Sequence, residues 1–352
     1  MRARMCRSFS STTTWRSTVR LFNAAGSFPG RTNAVMKYLD PDNRLVTVKV
    51  AGGGFAQFDP QGDGSLLAVF VNDTTSASTL SIKPTPGAGH TPLGRIFIAT
   101  PLGSASLGKV DLAGDFIAQA GLGTLTLGNV GDGLTRRLMS IGASSNPLQR
   151  GTINLGIVRD VALNSAMPLA ALTAVDWLDS DGSSETINAV AIESLKIAGD
   201  GKHKGAFQAD VLIVGTGKVK SFIVTGAVSN AKIAIRGDVG SVSVGALLDS
   251  DFLAGLTSVP TQLSDFAAEQ RKIGSFIIRD TNPAGPGLVN SHLAASRFGR
   301  IDVRNIDPAS GTGDFGFIAD RIAGYQRGSR HLAGLDAAGV FDRSGNYVVR
   351  VL

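Results

Sequence analysis

Asp176-Trp177-Leu178-Asp179-Ser180-Asp181-Gly182, followed by Glu185, is the densest acidic run in the 352-residue sequence. Hard carboxylate oxygens at such spacing suit Ca²⁺, which takes about six to eight oxygen ligands. The helix-loop-helix calcium template is not met, because its glycine belongs about five residues after the first ligand and Gly182 follows Asp179 by only three. Asp, Ser and Gly all favour turns, so the run reads as a solvated turn, with bound calcium as the alternative. Asp40 and Asp42 pose the same choice, and there Asn43 and Arg44 follow where further acids would be needed.

Sugar chemistry needs stacked acids with an Arg or Lys to bind the chain and move protons. Asp200, Lys202, His203 and Lys204 form the one comparable cluster, and with no second acid stacked beside it in the sequence it reads as a charged exposed loop. Two tryptophans, Trp15 and Trp177, leave little material for sugar-stacking platforms. His90, His203, His292 and His331 are scattered without HxxxH spacing and read as surface-loop histidines. The single cysteine, Cys6, excludes an intrachain disulfide and a cysteine-based zinc site. There is no GxSxG, Walker loop or nucleotide fingerprint; Gly121-Leu122-Gly123 and Gly215-Thr216-Gly217 read as chain corners. No catalytic, cofactor-binding or metal-binding residue is therefore assigned from the sequence.

What would position these loops is a repeat. One phrase recurs: an apolar residue, usually glycine, a small or polar residue, then apolar, any, apolar. It reads clearly at 93–98, 122–127, 192–197, 219–224, 239–244, 273–278 and 298–303, with diverged copies at 150–155 and 169–174. The uneven spacing of these copies suits stacked coils, which tolerate insertions at their turns because each coil touches only its neighbours. Pairs such as Leu125 with Leu127, or Val242 with Val244, fall on one face of a strand, while Thr126 or Ser243 falls on the other. Gly or Asn near the end of the phrase, at Gly128-Asn129, Gly199-Asp200-Gly201, Gly226 and Gly245, reads as a corner that needs a positive φ. A second apolar patch before the next phrase, as at 207–214 and 233–235, gives at least two strands per coil.

Flanking segments read as caps over the open edges of such a stack. Residues 45–50, 54–58, 66–71 and 80–83 form an expected strand meander, and 339–341 with 347–352 an expected hairpin around 342–346. Helix is expected at 261–272, with Ser264 as its cap and Leu263, Phe266 and Ala267 at helical spacing, and at 315–326.

Composition agrees with a folded, turn-rich body: 44 glycines, 43% hydrophobic residues and only 18% charged ones. The formal charge of +6 sits in the amino-terminal tail, where Arg2, Arg4, Arg7, Arg16, Arg20, Arg31 and Lys37 occur with no acid, leaving the body near neutral. A near-neutral body with 6% aromatic residues argues against a nucleic-acid binder, which carries a basic stripe with stacking rings. The tail lacks the apolar core of a secretory signal, and no stretch has the length of a membrane span.

The phrase Gly-Ser-Val-Ser-Val-Gly at 240–245, the Tyr38-Leu39-Asp40-Pro41-Asp42 opening before 45–50 and the closing segment 339–352 resemble the Gly-rich β-helical modules of large secreted bacterial surface repeat proteins, over residues 37–352. The resemblance implies location and architecture rather than chemistry. The expectation is an all-β chain: a right-handed parallel β-solenoid of the pectate-lyase-like type, with a disordered basic tail at 1–36, an amino-terminal β cap at 37–92, solenoid repeats at 93–338 and a cap hairpin at 339–352. The expected role is a non-catalytic extracellular or cell-surface structural and adhesive module, without cofactor, facing surface polysaccharide or other surface proteins. A polysaccharide-active enzyme using Asp200 and Lys202, and a calcium-stabilised adhesin, are the alternatives.

Overall fold

A computed structural model describes residues 35–352, apart from 62, 63, 86, 88, 267–269 and 281–284. The basic tail, Cys6 and Trp15 lie outside the described residues, except for its last two positions, which open the first strand, Val35–Leu39. The protein is all-β, built on two long and mostly parallel sheets of 15 strands each. Between the antiparallel ends the chain passes back and forth between the two sheets, so each circuit adds a strand to both and pairs it in parallel with the previous circuit.

The alternation seen in the sequence makes this stack hold. In the first sheet, Leu80, Ala105, Leu125, Ile153, Leu172, Leu195, Phe222, Val242, Phe276, Ile301 and Tyr325 lie one directly over the next in unbroken register. In the second sheet the corresponding file runs from Val69 and Ile96 through Met139, Ile187 and Phe252 to Phe317 and Val349. A third, narrow file of parallel bridges joins Leu93, Leu112, Val130, Val158, Trp177, Phe207, Val228, Leu247, Leu288 and Ile306. All three files bury into one hydrophobic cluster, with Ile306 packed at its margin. Parallel pairing satisfies the backbone N–H and C=O groups of each circuit from its neighbours, which is what allows the interior to be apolar.

Edge-to-face ring contacts cross that interior: Phe207 to Phe222 at 6.0 Å, Phe222 to Phe252 at 5.3 Å, Phe252 to Phe276 at 5.3 Å and Phe276 to Phe317 at 5.9 Å. Each such contact adds about 0.5–1.5 kcal/mol beyond the area it buries. Because the rings come from all three files, they tie the sheets to one another.

Several sequence expectations are corrected. The phrase at 93–98 lies in strand Thr91–Ile98 of the second sheet, and the first-sheet member of that circuit is Leu102–Leu107. Residues 315–326 are not helical: Phe315–Ala319 and Arg321–Arg327 are strands, since Phe315, Phe317 and Ala319 alternate into the core with a period of two. In 261–272 a single 3₁₀ turn, Leu263–Phe266, forms, and Lys272 opens a strand; Ala267 lies outside the described residues. Its start is held not by Ser264 but by Asp265, whose Oδ2 accepts from the Thr261 and Gln262 amides. This insertion places Phe266 over Leu253, Ala294 and Ile318, covering the outer face of the second sheet there.

The four amino-terminal strands do not make one meander. Leu45–Ala51 pairs antiparallel with Val35–Leu39 and Thr79–Pro84 in the first sheet, while Phe55–Pro60 pairs antiparallel with Leu66–Asn72 in the second. At the other end Gly339–Ser344 and Tyr347–Val351 pair antiparallel and close the second sheet.

The glycine of the phrase has a different cause from the one its turn propensity suggests. A Cβ at Gly123, Gly240, Gly274 or Gly299 would meet the carbonyl oxygen of the circuit before it at 2.3, 2.5, 2.4 and 2.2 Å, so close approach rather than a positive φ demands glycine. Gly128 and Gly226 follow the same rule. Gly199 does take the positive φ expected of it (64°), and other corners are turned by Asn230, Asp249 and Asn290, all left-handed, with short polar side chains that tolerate that region.

Candidate functional site

The narrow third file ends, in each circuit, at a corner leading into the second sheet. Pairing of Ile157–Arg159 with Asp176–Leu178 sets Arg159 beside Leu178, which brings the next residues, Asp160 and Asp179, to the same corner of adjacent circuits. Asp160 makes its corner in one left-handed residue (φ 52°), whereas the circuits on either side loop out over 131–136 and 179–184. The longer loop folds back over the short corner. Asp160 is buried, and its carboxylate accepts from the Ser180 amide at 2.6 Å and the Ser180 hydroxyl at 2.7 Å.

Asp160, Asp179 and Asp181 each offer a carboxylate oxygen within 4.8 Å of the other two. Asp179 accepts from the Gly182 amide and Asp181 from the Ser183 amide, both at 2.7 Å, so the turn residues preset the two side chains. Glu185, which opens strand Glu185–Ala189, is fully buried with neither carboxylate oxygen hydrogen bonded. Its Oε2 has Arg136 Nε as an ion-pair neighbour at 2.9 Å. Burial pushes the Glu185 carboxyl above its ordinary pKa; Arg136 opposes that, and the negative charges of Asp181, Asp160 and Asp179 reinforce it.

Thus the acidic run divides. Asp179, Asp181 and Glu185 belong to this corner, but Asp176 does not: it is buried, its Oδ1 accepts from the Gly205 and Ala206 amides at 2.9 and 2.8 Å, and its Oδ2 faces His203 Nδ1 at 3.1 Å. Asp176 therefore anchors the loop of the following circuit. In that loop Asp200 accepts from the Lys202 and His203 amides, both at 2.7 Å, and these bonds hold its pKa below the ordinary value. The carboxylate of Asp200 is bonded to its own turn, and the acid brought near the cluster, Asp176, is occupied by backbone amides. Asp40 accepts from the Asp42 and Arg44 amides and from Arg44 Nε at 2.8 Å, while Asp42 meets the same guanidinium at 2.7 Å. Arg44 thereby neutralises both acids where a cation would otherwise sit.

Three of the four histidines are partnered by carboxylates. His90 Nδ1 lies 2.6 Å from Asp111, and His203 faces Asp176 as above. His292 Nδ1 lies 2.9 Å from Asp251 while its Nε2 faces the Asp314 carbonyl at 3.2 Å. The hydrogen bond to Asp251 raises the His292 pKa, against partial burial. His331 is exposed.

Sequence reasoning missed Asp160, Arg136 and a buried network at the carboxyl end. There Tyr325 donates to Asp342 at 2.6 Å and shares a 2.9 Å hydroxyl contact with Tyr347, while Arg327 grips Asp342 with two bonds of 2.7 and 2.9 Å. Burial raises both tyrosines, and the Arg327 and Tyr325 hydrogen bonds hold Asp342 low despite its burial. A signal for Asp160 does exist: it sits one circuit before Asp179, at the position that Asp or Asn fills at other corners. Finding it required the register. No protein-family model, curated protein or solved structure matches the chain.

Proposed function

We propose that the chain is a right-handed parallel β-solenoid that serves as a non-catalytic structural and adhesive module of an extracellular or cell-surface protein. The observation that carries this reading is the set of three in-register files converging on one apolar interior. Strands that return to the same sheet in parallel after a crossover do so almost always with a right-handed turn, which gives the coil its hand. Such a body is a rod whose length is set by its number of circuits.

The partner that suits it is a neutral surface polysaccharide. The outer face of the first sheet aligns Ser104, Thr124 and Thr152 in one file and Ser106, Thr126 and Asn154 in the next. Sheet geometry spaces the members of a file by about 4.8 Å. Uncharged hydroxyls and amides, each donor and acceptor, complement the hydroxyls of a sugar chain lying along the rod.

The deciding experiment incubates the soluble protein with neutral and acidic polysaccharides and follows both retention and release of reducing or unsaturated ends. Retention on a neutral glycan without product, weakened by the double substitution Thr124→Lys with Thr126→Lys, is the expected result. Product release that disappears in Asp200→Asn would replace this reading with the enzymatic one.

A further inference from the structure

We propose that the corner where the chain leaves the second sheet and enters the first carries a docking surface for a linear acidic polysaccharide, one with an anionic group on each sugar. The inference goes beyond the neutral-glycan face, because it concerns other circuits and a charged partner, and it does not rest on that reading. Its ground is a basic file that only the register reveals. Lys272, Arg297 and Arg321 open three consecutive strands of the first sheet and lie directly opposite one another. All three are exposed, and each precedes a buried residue, Ile273, Phe298 or Ile322, so alternation along the strand turns them outward. In the two preceding strands of that sheet, Val219–Ser229 and Val239–Leu248, the residues at the same position are Lys218 and Asp238. Four cations and one acid thus follow one another along about 19 Å of the stack, at the usual strand spacing of about 4.8 Å.

The file works against the fold. Like charges directly opposite one another destabilise a sheet, and the protein's own acids leave these largely uncompensated. Among the described residues Lys272 forms no ion pair; Asp238 Oδ1 accepts from its backbone amide at 2.9 Å instead. Arg297 donates to the neutral side chain of Gln270 at 3.2 Å. Arg321 reaches Asp336 at 3.9 Å with both side chains exposed, a contact of little strength in water. Asp320, the corner residue before Arg321, has no ion pair among the described residues, while Asp302 is taken by Arg300 at 2.9 Å and Glu193 by Lys220 and Arg150. Charge in the near-neutral body is therefore segregated. Asp160, Asp179 and Asp181 gather at the corner that enters the second sheet, and the basic file runs along the corner that enters the first.

Beside the file the surface is smooth. Gly240, Gly274 and Gly299 stand two residues after Asp238, Lys272 and Arg297, and the carbonyl of the preceding circuit forbids a side chain at each. They leave a floor of backbone, bordered on its far side by Ser241 and Ser275. A polymer laid along the stack meets cations on one side and hydroxyls on the other.

Charge complementarity selects the occupant. An anion on every sugar repeats at a spacing of the same order as the file, and the guanidinium forks of Arg297 and Arg321 each suit a carboxylate with two parallel hydrogen bonds. A single-stranded nucleic acid would need rings on which to stack its bases, and the positions beside the file hold glycine and serine.

Alginate, with one carboxylate per sugar, and its propylene glycol ester, in which that charge is masked, are the probe and its neutral counterpart. Calorimetry on the full chain should show alginate binding that weakens as salt rises, and weaker binding of the ester. Lys272→Ser with Arg297→Ser should weaken alginate binding by about tenfold and flatten its salt dependence, and Arg321→Ser alone should weaken it by about threefold, with far-UV circular dichroism unchanged. Lys49→Ser with Lys83→Ser removes two exposed charges from the amino-terminal end of the same sheet and should leave alginate binding unchanged. The basic tail is present in every variant and cannot separate them. Retention on neutral glycans should be the same in wild type and in Lys272→Ser with Arg297→Ser, so either reading can fail without the other. The proposal is overturned if alginate does not bind, if the folded variants of the file bind it like the wild type, or if the Lys49 and Lys83 substitutions weaken it as much. Tighter binding of single-stranded DNA than of alginate at equal salt, lost in the same variants, would overturn it in favour of a nucleic acid.

Discussion

Replacing Gly274 by alanine adds one methyl group at a place where the structure leaves no room for it. The new Cβ would lie 2.4 Å from the Gly240 carbonyl oxygen, and real Cβ atoms essentially never come within 3.0 Å. That carbonyl belongs to a strand fixed in the ladder on both sides, through Val239 to Ile273 below and Val219 above. A retreat from 2.4 to at least 3.0 Å would stretch ladder hydrogen bonds beyond their usual range of about 2.7–3.2 Å. Overpacking costs about 1–3 kcal/mol and a weakened buried hydrogen bond about 1 kcal/mol, so Gly274→Ala should lose about 2–4 kcal/mol. The same file contains its own control. At Gly324 the nearest atom to an added Cβ is the Gly299 oxygen at 3.6 Å, an ordinary contact, and its φ is not left-handed. Gly324→Ala should therefore gain about 0.4–1 kcal/mol by restricting the unfolded chain. Urea unfolding followed by circular dichroism, with the midpoint compared at constant slope, measures the difference between the two variants. Equal midpoints, or a more damaging effect at Gly324, would refute close approach as the reason for glycine in this phrase.

Removing the charge of Asp342 by Asp342→Asn should destabilise the protein by about 3–5 kcal/mol, because Arg327 would keep a half-buried guanidinium without its partner; thermal melts report it. His292 has a folded pKa raised above its ordinary value by Asp251, so its contribution is complete below about pH 6.5 and fades as pH rises through the folded pKa. The melting temperature of the wild type should accordingly fall relative to that of His292→Asn between pH 6 and 8, and parallel pH profiles of the two proteins would contradict the assignment.

The architecture was legible where physics is local and periodic. Leu125, Val242 and Ile301 alternate with polar neighbours, and each lies over its counterpart in the circuit before, as their spacing implies. Legibility failed where a residue's partner is a circuit away. Gly274 is visible in the sequence only as the usual glycine of the phrase, with no reason for it until the Gly240 carbonyl appears above it, and Phe315 to Gln326 reads as a helix until Ile322 and Tyr325 are seen to face the interior from a different sheet than Phe317. At the candidate site the run Asp179, Ser180, Asp181 was visible and Asp160 was not, because their meeting depends on the pairing of Arg159 with Leu178. Tyr325, Asp342 and Tyr347 likewise belong to three separate strands, and nothing in their spacing announces that they are hydrogen bonded to one another through Tyr325.

Parallel files in which every circuit touches only the one before and the one after have a mechanical consequence. Tension applied to the last strand, Tyr347–Val351, is borne first by its bonds to Phe315–Ala319 and Gly339–Ser344 and reaches the amino-terminal strands only through every intervening layer. Layers stacked in this way, pulled from one end, would fail by peeling from the loaded end, one layer at a time, releasing slack in small increments and leaving the untouched layers able to re-anneal the strand when the load is removed.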